Sequence, residues 1–223
     1  MLVLGMDTTG NTLSVALSED ETILAELNLG KLKKHSETLL PAIDGILSVL
    51  GRNAGEIGLI AVSVGPGSFT GIRIGVASAI GLAQALSVPV AQVDTLAGLL
   101  ENVFFDGTIC AIMDARRNQV YAAAKNKDKI LVPSCTTDLA ELLGRLGEGP
   151  VMFVGDGIDP YKEAILQSRP NSLFANRAVR YQRAGSVCRI GVFKCNQGDV
   201  TTYREVRANY LRPSQAERLK REK

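Results

Sequence analysis

Residues 59–93 leave few architectures open. Residues 59–64 (LIAVSV) form a continuous apolar run, and residues 65–71 (GPGSFTG) form a glycine turn. A helix-spaced stretch then runs from about residue 72 to 86 before Val88-Pro89 breaks it, and residues 90–93 supply a second apolar run. Short runs without polar alternation read as buried strands, and a helix between two of them belongs to a βαβ unit. That pattern places the chain in the α/β class rather than among helical bundles or antiparallel sandwiches.

The flanking sequence extends this unit in both directions. Residues 1–7 (MLVLGMD) read as a strand, residues 12–18 alternate Leu13, Val15 and Leu17 on one face, and residues 22–28 give a third run, so the chain opens on a meander. Leu39, Leu40, Ile43, Ile46, Leu47 and Leu50 recur at helical spacing after Ser36 and Glu37, and Gly51 ends that helix. A short helix is expected from Thr95. From residue 108 the pattern starts again with a strand at 108–113 (TICAIM), a turn over 114–119, a return strand at 120–124, a helix near 139–146 and a strand at 151–154. This second group has fewer recognisable elements. A final helix is expected over about 184–195. Two α/β units in series, each opening with a hairpin that ends in an Asp-containing turn, point to the actin-like/sugar-kinase fold: two tandem ribonuclease-H-like subdomains, the second reduced. The expected division is 1–104 for the first subdomain and 105–223 for the second, with the last helix and a basic tail assigned to the second.

Composition narrows the function classes. With 223 residues and 46% hydrophobic content the chain can bury a core, which excludes disorder. It begins directly with a strand, without a basic leader or an apolar run long enough to span a bilayer, so a cytoplasmic protein with no membrane contact is expected. The net charge of +2 hides an asymmetry: residues 1–160 carry 11 Lys+Arg against 18 Asp+Glu, and residues 161–223 carry 14 against 5. The basic end, RPSQAERLKREK at 212–223, is either a phosphate-neutralising tail that meets RNA or a solvated helix end. Cys110, Cys135, Cys188 and Cys195 form no Cys-x-x-Cys pair and read as buried thiols.

The glycine turn is the most specific local signal. Its glycines allow a tight turn and close approach of a ligand or another chain, and the helix start favours anions. It fits none of three familiar motifs. A Walker A loop needs Lys where Ile72 stands, a Rossmann fingerprint needs Gly where Thr70 stands (Asp94 ending the next strand notwithstanding), and a nucleophile elbow on Ser68 needs glycines where Pro66 and Thr70 stand. A tight turn with Ser68 or Thr70 capping the helix is the plainer reading. Asp7, Thr8 and Thr9 after the first strand would face Mg²⁺ and phosphate in an actin-like fold, although an Asp ending a strand is common. His35 is the only histidine, which argues against a His-containing triad or a paired-His metal site.

The helix after the glycine turn is apolar almost all round. Ile72, Val76, Ala79, Ile80, Ala83 and Leu86 share the face expected to cover the sheet, while Ile74, Ala77, Ser78, Gly81 and Ala85 lie opposite. Small residues there let another helix approach closely. With Leu39, Ile43 and Ile46 of the preceding helix, this face forms half of a helix bundle with a second chain, or is covered by that preceding helix within the chain; the residues leave both readings open.

Several segments together carry a family resemblance: Met6-Asp7-Thr8-Thr9, His35-Ser36-Glu37 with Leu39-Leu40-Pro41, residues 61–75 (AVSVGPGSFTGIRIG), Asp114-Ala115-Arg116-Arg117 with Val120-Tyr121, and Tyr210-Leu211-Arg212 with Ser214 and Ala216-Glu217. They resemble the TsaB family, once called YeaZ, over nearly the whole chain; residues 125–185 match least, and Asn118-Gln119 stands where that family more often has Gly-Glu. The resemblance implies a role in making threonylcarbamoyladenosine next to the anticodon of tRNAs that read codons beginning with A. It implies a non-catalytic subunit paired with the paralogue TsaD and working with the ATPase TsaE. It favours the partner reading of the helix face, with a homodimer as the open state of the chain alone. In the catalytic paralogue two metal-holding histidines follow the shared glycine turn, helix and strand, and those positions fall here on Thr95 and Leu99, neither of which replaces an imidazole. Asp7, Thr8, Thr9, Gly65, Gly67 and Ser68 would then be remnants of a nucleotide site. No cofactor is expected, save ATP or ADP at an interface with partners. Gly155-Asp156-Gly157 reads either as a remnant of the adenosine loop or as an ordinary turn. The rival reading from the residues is an autonomous nucleotide-dependent kinase or acyl transferase built on Asp7, the glycine turn and Asp94.

Overall fold

The computed structural model describes residues 1–30 and 34–212. Strands β1 (Leu2–Asp7), β2 (Thr12–Glu19) and β3 (Thr22–Gly30) form the expected meander, followed by α1 (His35–Val49), a single 3₁₀ turn (Ala54–Glu56), β4 (Ile57–Gly65), α2 (Phe69–Leu86), β5 (Val90–Asp94) and α3 (Thr95–Leu100). The sheet order is β3-β2-β1-β4-β5, with β1, β4 and β5 parallel and β2 and β3 antiparallel additions. Then come β6 (Thr108–Asp114), β7 (Gln119–Asn126), β8 (Lys129–Asp138), α4 (Leu139–Arg145), β9 (Val151–Val154), α5 (Ile158–Ser168), β10 (Leu173–Phe174) and α6 (Ala184–Asn196). Their sheet runs β10-β9-β6-β7-β8, the same connectivity as the first.

The second unit is therefore reduced in size and not in number of elements. Three were missing from the sequence reading, each for a local reason. β8 carries Pro133 and sits at the sheet edge, where a missing N–H costs no ladder bond. α5 buries only Ile158 and Ile165, too narrow a stripe to show a period, and β10 has two residues.

β1 is buried on both faces, which explains its unbroken apolar run. Leu4 and Met6 join Leu39, Ile43, Ile46, Ile72, Val76 and Ala79 of α1 and α2, while Val3 joins Val187, Cys188 and Val192 of α6. A side chain at Gly5 would lie 2.5 Å from Cys188 Sγ and 2.6 Å from the Ala184 carbonyl, so glycine there lets α6 lie against the strand. The last helix thus belongs to the first sheet and not, as expected, to the second unit. α3 faces the other way, with Leu96, Leu99 and Leu100 packed against Ile109, Ala111 and Met113 of β6. Asn102 joins these layers, donating to the carbonyls of Val179 and Tyr181 and accepting from Ser186.

Two further expectations are corrected. α2 begins three residues early, because Ser68 caps it and its Oγ accepts the Gly71 N–H at 3.3 Å. At 18 residues with a mean hydropathy of 1.4, α2 also has the length and composition of a membrane span, contrary to the expectation that no run does; here its inner face packs on β4. Cys110 and Cys188 are buried as expected and Cys135 and Cys195 only half-buried, all as free thiols; burial pushes the Cys188 thiol up to about 12.

Candidate functional site between the two sheets

A cleft of ≈ 870 Å³ opens where four loops meet: the turn after β1, the glycine turn, the turn after β6 and the segment Asn209 to Arg212. Behind the first of these loops, Asp7 is buried within the protein. The Asp7 Oδ1 accepts the Thr9 N–H at 2.8 Å and the Thr9 hydroxyl at 2.7 Å, and burial holds the carboxyl above its ordinary range against the pull of those bonds. The Thr8 hydroxyl donates to the Gly71 carbonyl at 2.7 Å, and the Ser68 N–H to the Thr9 carbonyl at 2.7 Å. A side chain at Gly67 would lie 2.4 Å from the Thr9 carbonyl, and one at Gly71 2.0 Å from that of Thr8. These glycines let two loops of one chain touch.

Of the six residues expected as remnants of a nucleotide site, Thr9, Gly67 and Ser68 line the cleft, whereas Asp7, Thr8 and Gly65 do not. The space beside Gly65, whose φ is +119°, belongs to Asn209, whose N–H donates to the Val64 carbonyl at 2.7 Å. His35 starts α1 behind the same turn, with Nε2 buried and without a partner; burial lowers its pKa, against the charge of Asp7.

The opposite wall comes from the second unit. The Asp114 Oδ1 accepts the Arg116 N–H at 2.8 Å and the Tyr161 hydroxyl at 3.3 Å. Arg116, Arg117 and Asn118 then hold φ values of +63°, +56° and +59°, three left-handed residues in succession, which only Asn adopts readily. In the Gly155-Asp156-Gly157 turn the glycines lie against the Ile112 carbonyl and Asp156 faces the cleft; burial raises its carboxyl to about 6. Asp94 is a helix cap, accepting the N–H groups of Leu96 and Ala97 and the Ser134 hydroxyl. Thr95 and Leu99, on the helix it caps, are both buried.

Sequence reasoning missed the final segment as part of the site. Tyr210 packs its ring 4.7 Å from Phe69, and Arg73 lies 3.9 Å above Phe69 while donating to the Tyr210 hydroxyl at 3.1 Å. Arg212 donates to the carbonyls of Ala115 and Arg116. The segment therefore fastens the first sheet's loops to the second sheet's turn. The signal was present, since Tyr210-Leu211-Arg212 is among the residues that carry the resemblance; the rest of the basic tail, with Ser214, Ala216 and Glu217, lies outside the described residues.

The helix face expected to meet a partner is divided. Leu39, Ile43 and Ile46 point into the chain's own core, contrary to their expected place on an outer face. They are the inner stripe of α1, and their helical spacing was the mark of that core. Ala77, Gly81 and Ala85 are exposed, with Ile74 and Ser78 half-buried, and no atom lies within 4 Å of a Cβ built on Gly81. Leu40 and Val49 of α1 are exposed at 53% and 84%.

Comparisons with known proteins agree with this geometry. The family model for TsaD, tRNA N6-adenosine threonylcarbamoyltransferase, matches residues 30–218. The tRNA threonylcarbamoyladenosine biosynthesis protein TsaB of Bacillus subtilis is 38% identical over 74% of this chain and 75% of its own length. That of Escherichia coli is 35% identical over 58% of this chain, a match spanning 57% of its own length. The structure of YeaZ from Pseudomonas aeruginosa superposes with a TM-score of 0.77 at 25% identity, covering 94% of this chain and 99% of that one. A ROK hexokinase from Thermus thermophilus shares the fold alone, with a TM-score of 0.52 at 13% identity, covering 89% of this chain and 100% of that one. With two units of actin-like connectivity and these relatives, the chain belongs to the TsaB (YeaZ) family.

Proposed function

We propose that this chain is a non-catalytic subunit in the synthesis of tRNA threonylcarbamoyladenosine, pairing with a TsaD-like paralogue in the assembly that transfers threonylcarbamoyl to the adenosine next to the anticodon. The observation that carries the reading is the outer face of α2, where Ala77, Gly81 and Ala85 stand exposed in a row spaced by four residues. Small residues at that spacing let a second helix come close, and Leu40 and Val49 add apolar area beside them. A TsaE-like ATPase and the tRNA complete the assembly in the cytoplasm. The chain needs no cofactor of its own; ATP or ADP, where held, lies at the interface with partners. The residues do not fit the paralogue's metal: Leu99 offers no donor atom, and among the described residues no three His, Cys, Asp or Glu side chains come together.

The cleft favours one rival, an autonomous nucleotide-dependent kinase or acyl transferase, because Asp114 and Asp156 face it. Its phosphate-loop glycines, however, are spent on Thr8 and Thr9. Affinity capture with the TsaD-like paralogue, together with a Mg-ATP binding and turnover assay on the purified chain, separates the two. A scaffold captures the paralogue and turns over no ATP, whereas micromolar Mg-ATP binding with turnover and no capture would establish the rival. Self-association that excludes the paralogue would make the face a homodimer contact.

A further inference from the structure

Four arginines share the mouth of the cleft: Arg73 from α2, Arg116 and Arg117 from the turn after β6, and Arg212 at its far edge. Two carboxylates oppose them. Asp114 is engaged by the Arg116 N–H and by Tyr161, and Asp156 is mostly buried below the rim. Two of the arginines are fixed in place: Arg73 by the Phe69 ring and the Tyr210 hydroxyl, and Arg212 by two carbonyls of the facing turn. Arg116 and Arg117 remain exposed on a backbone that side chains rarely adopt. Beside them Tyr210 is 39% exposed, its ring braced on Phe69.

Exposed guanidinium groups beside a braced, open aromatic ring suit a phosphodiester chain with an unpaired base. Arginine takes phosphate oxygens bidentately, and a base stacks on the ring or on a guanidinium plane. The chain leaves this spot carrying more positive charge, since residues 213–223 hold four Lys+Arg against two Glu. Arg73 also precedes Ala77, Gly81 and Ala85 in the same row spaced by four residues, so the mouth adjoins the proposed partner face. From these features we infer that the cleft mouth is an RNA-binding surface, with Arg116 and Arg117 meeting phosphates and Tyr210 stacking on an unpaired base. The choice of RNA as the polyanion rests on the tRNA role proposed above.

The test is fluorescence anisotropy of labelled tRNA with the full chain across a salt series. In Arg116→Asn/Arg117→Asn the new residues keep the left-handed backbone, because Asn enters that region readily. Affinity should fall about tenfold or more at low salt, and the slope of log K against log salt should flatten by about 1.4 to 1.8, the release expected from two phosphates. Tyr210→Phe keeps the stacking ring while freeing Arg73, and should lose less affinity than the loss of the ring does. Tyr210→Leu should lose about fivefold or more, and if circular dichroism shows it unfolded, the arginine pair decides. Undetectable tRNA binding by the parent, an unchanged affinity and slope in the arginine pair, or displacement of tRNA by micromolar Mg-ATP would overturn the inference. Paralogue capture is read separately. If the arginine variant binds tRNA like the parent while capture persists, only the RNA surface falls; if the parent captures no paralogue, the subunit reading falls while the anisotropy result still stands.

Discussion

The two halves follow one plan and differ in what they hide. Each runs three strands, helix, strand, helix, strand, and each sets an Asp at the end of its first strand whose Oδ1 accepts the N–H two residues on at 2.8 Å, Asp7 to Thr9 and Asp114 to Arg116. In the first half that turn is sealed, because Gly67 and Gly71 bring the next loop directly onto Thr8 and Thr9. In the second half the equivalent glycines, Gly155 and Gly157, come to rest on Ile112, two residues short of Asp114. Arg116, Arg117 and Asn118 are left at the surface. One turn is an internal joint and the other an exposed edge. The helices diverge in step: α1 and α2 have 15 and 18 residues, and α4 and α5 have 7 and 11.

The largest expected effect tests the division of α1 into inner and outer faces. Leu39 is 1% exposed and Leu40 53%. Leu39→Ala should cost about 2–5 kcal/mol of unfolding free energy, as truncation of a buried Leu does. Leu40→Ala should change stability by less than about 0.5 kcal/mol and weaken paralogue capture instead. Urea denaturation of both variants checks this, and equal losses would mean that the helix is rotated from its described position.

Next in size is Gly81→Arg on the first half, set against Ala164→Arg on the exposed side of α5 in the second. Arg is a better helix residue than Gly by roughly 0.6–1 kcal/mol, so the isolated Gly81 variant should fold and melt no lower than the parent. A long charged side chain in a close helix contact should reduce paralogue capture at least tenfold, about 1.4 kcal/mol. Ala164→Arg should leave capture unchanged. Normal capture by the Gly81 variant places the contact elsewhere, and a matching loss in the α5 variant erases the functional asymmetry of the halves.

How far each half could be read follows from the same asymmetry. In the first half β1, β2 and β4 are almost wholly buried and α1 and α2 are long, so each left a run or a period in the sequence. In the second, Pro133 interrupts β8, α5 buries two residues and β10 has only two, and none of these patterns outweighs a loop. Helical spacing marked the buried stripe of α1 and was mistaken for the outer one at Leu39, Ile43 and Ile46, since periodicity gives a face but not what covers it. The glycine turn was visible, but the neighbour that requires its glycines is more than fifty residues away, in Thr8 and Thr9. Tyr210 and Arg212 meet Phe69, Arg73 and Ala115 only through the closure of both sheets. No local pattern encodes such contacts.

A smaller effect concerns the second half's buried acid. Burial raises the Asp156 carboxyl to about 6 from an unfolded value of 3.8, so the folded state holds that proton more tightly than the unfolded chain does. The resulting stability is complete below the unfolded value and is lost as pH rises through about 6. Asp156→Asn removes the ionisation while keeping an acceptor. The variant should be more stable than the parent at pH 8, with the gap narrowing toward pH 5. Paired melting curves across that range check it, and because Asp7 is present in both proteins its own raised carboxyl cancels from the difference. A gap that widens on acidification would show that the carboxyl is stabilised as the anion.

The smallest effect bears on the exposed turn itself, through Arg117→Gly. A left-handed backbone costs a side-chain-bearing residue about 1–2 kcal/mol, and Arg117 holds φ = +56° between two other left-handed residues. Glycine removes that cost but gives back roughly 0.5–1 kcal/mol through the greater freedom of the unfolded chain. The net gain should lie between about 0 and 1.5 kcal/mol, a rise in Tm of at most a few degrees for a domain of this size. If Arg117 is kept for its charge, the glycine variant should melt slightly higher and yet bind tRNA more weakly, with the salt slope flattened by about 0.7 to 0.9. A variant that melts lower would show that the Arg117 side chain supports the fold, and one that melts higher with unchanged tRNA binding would leave the turn's geometry without a function in RNA contact.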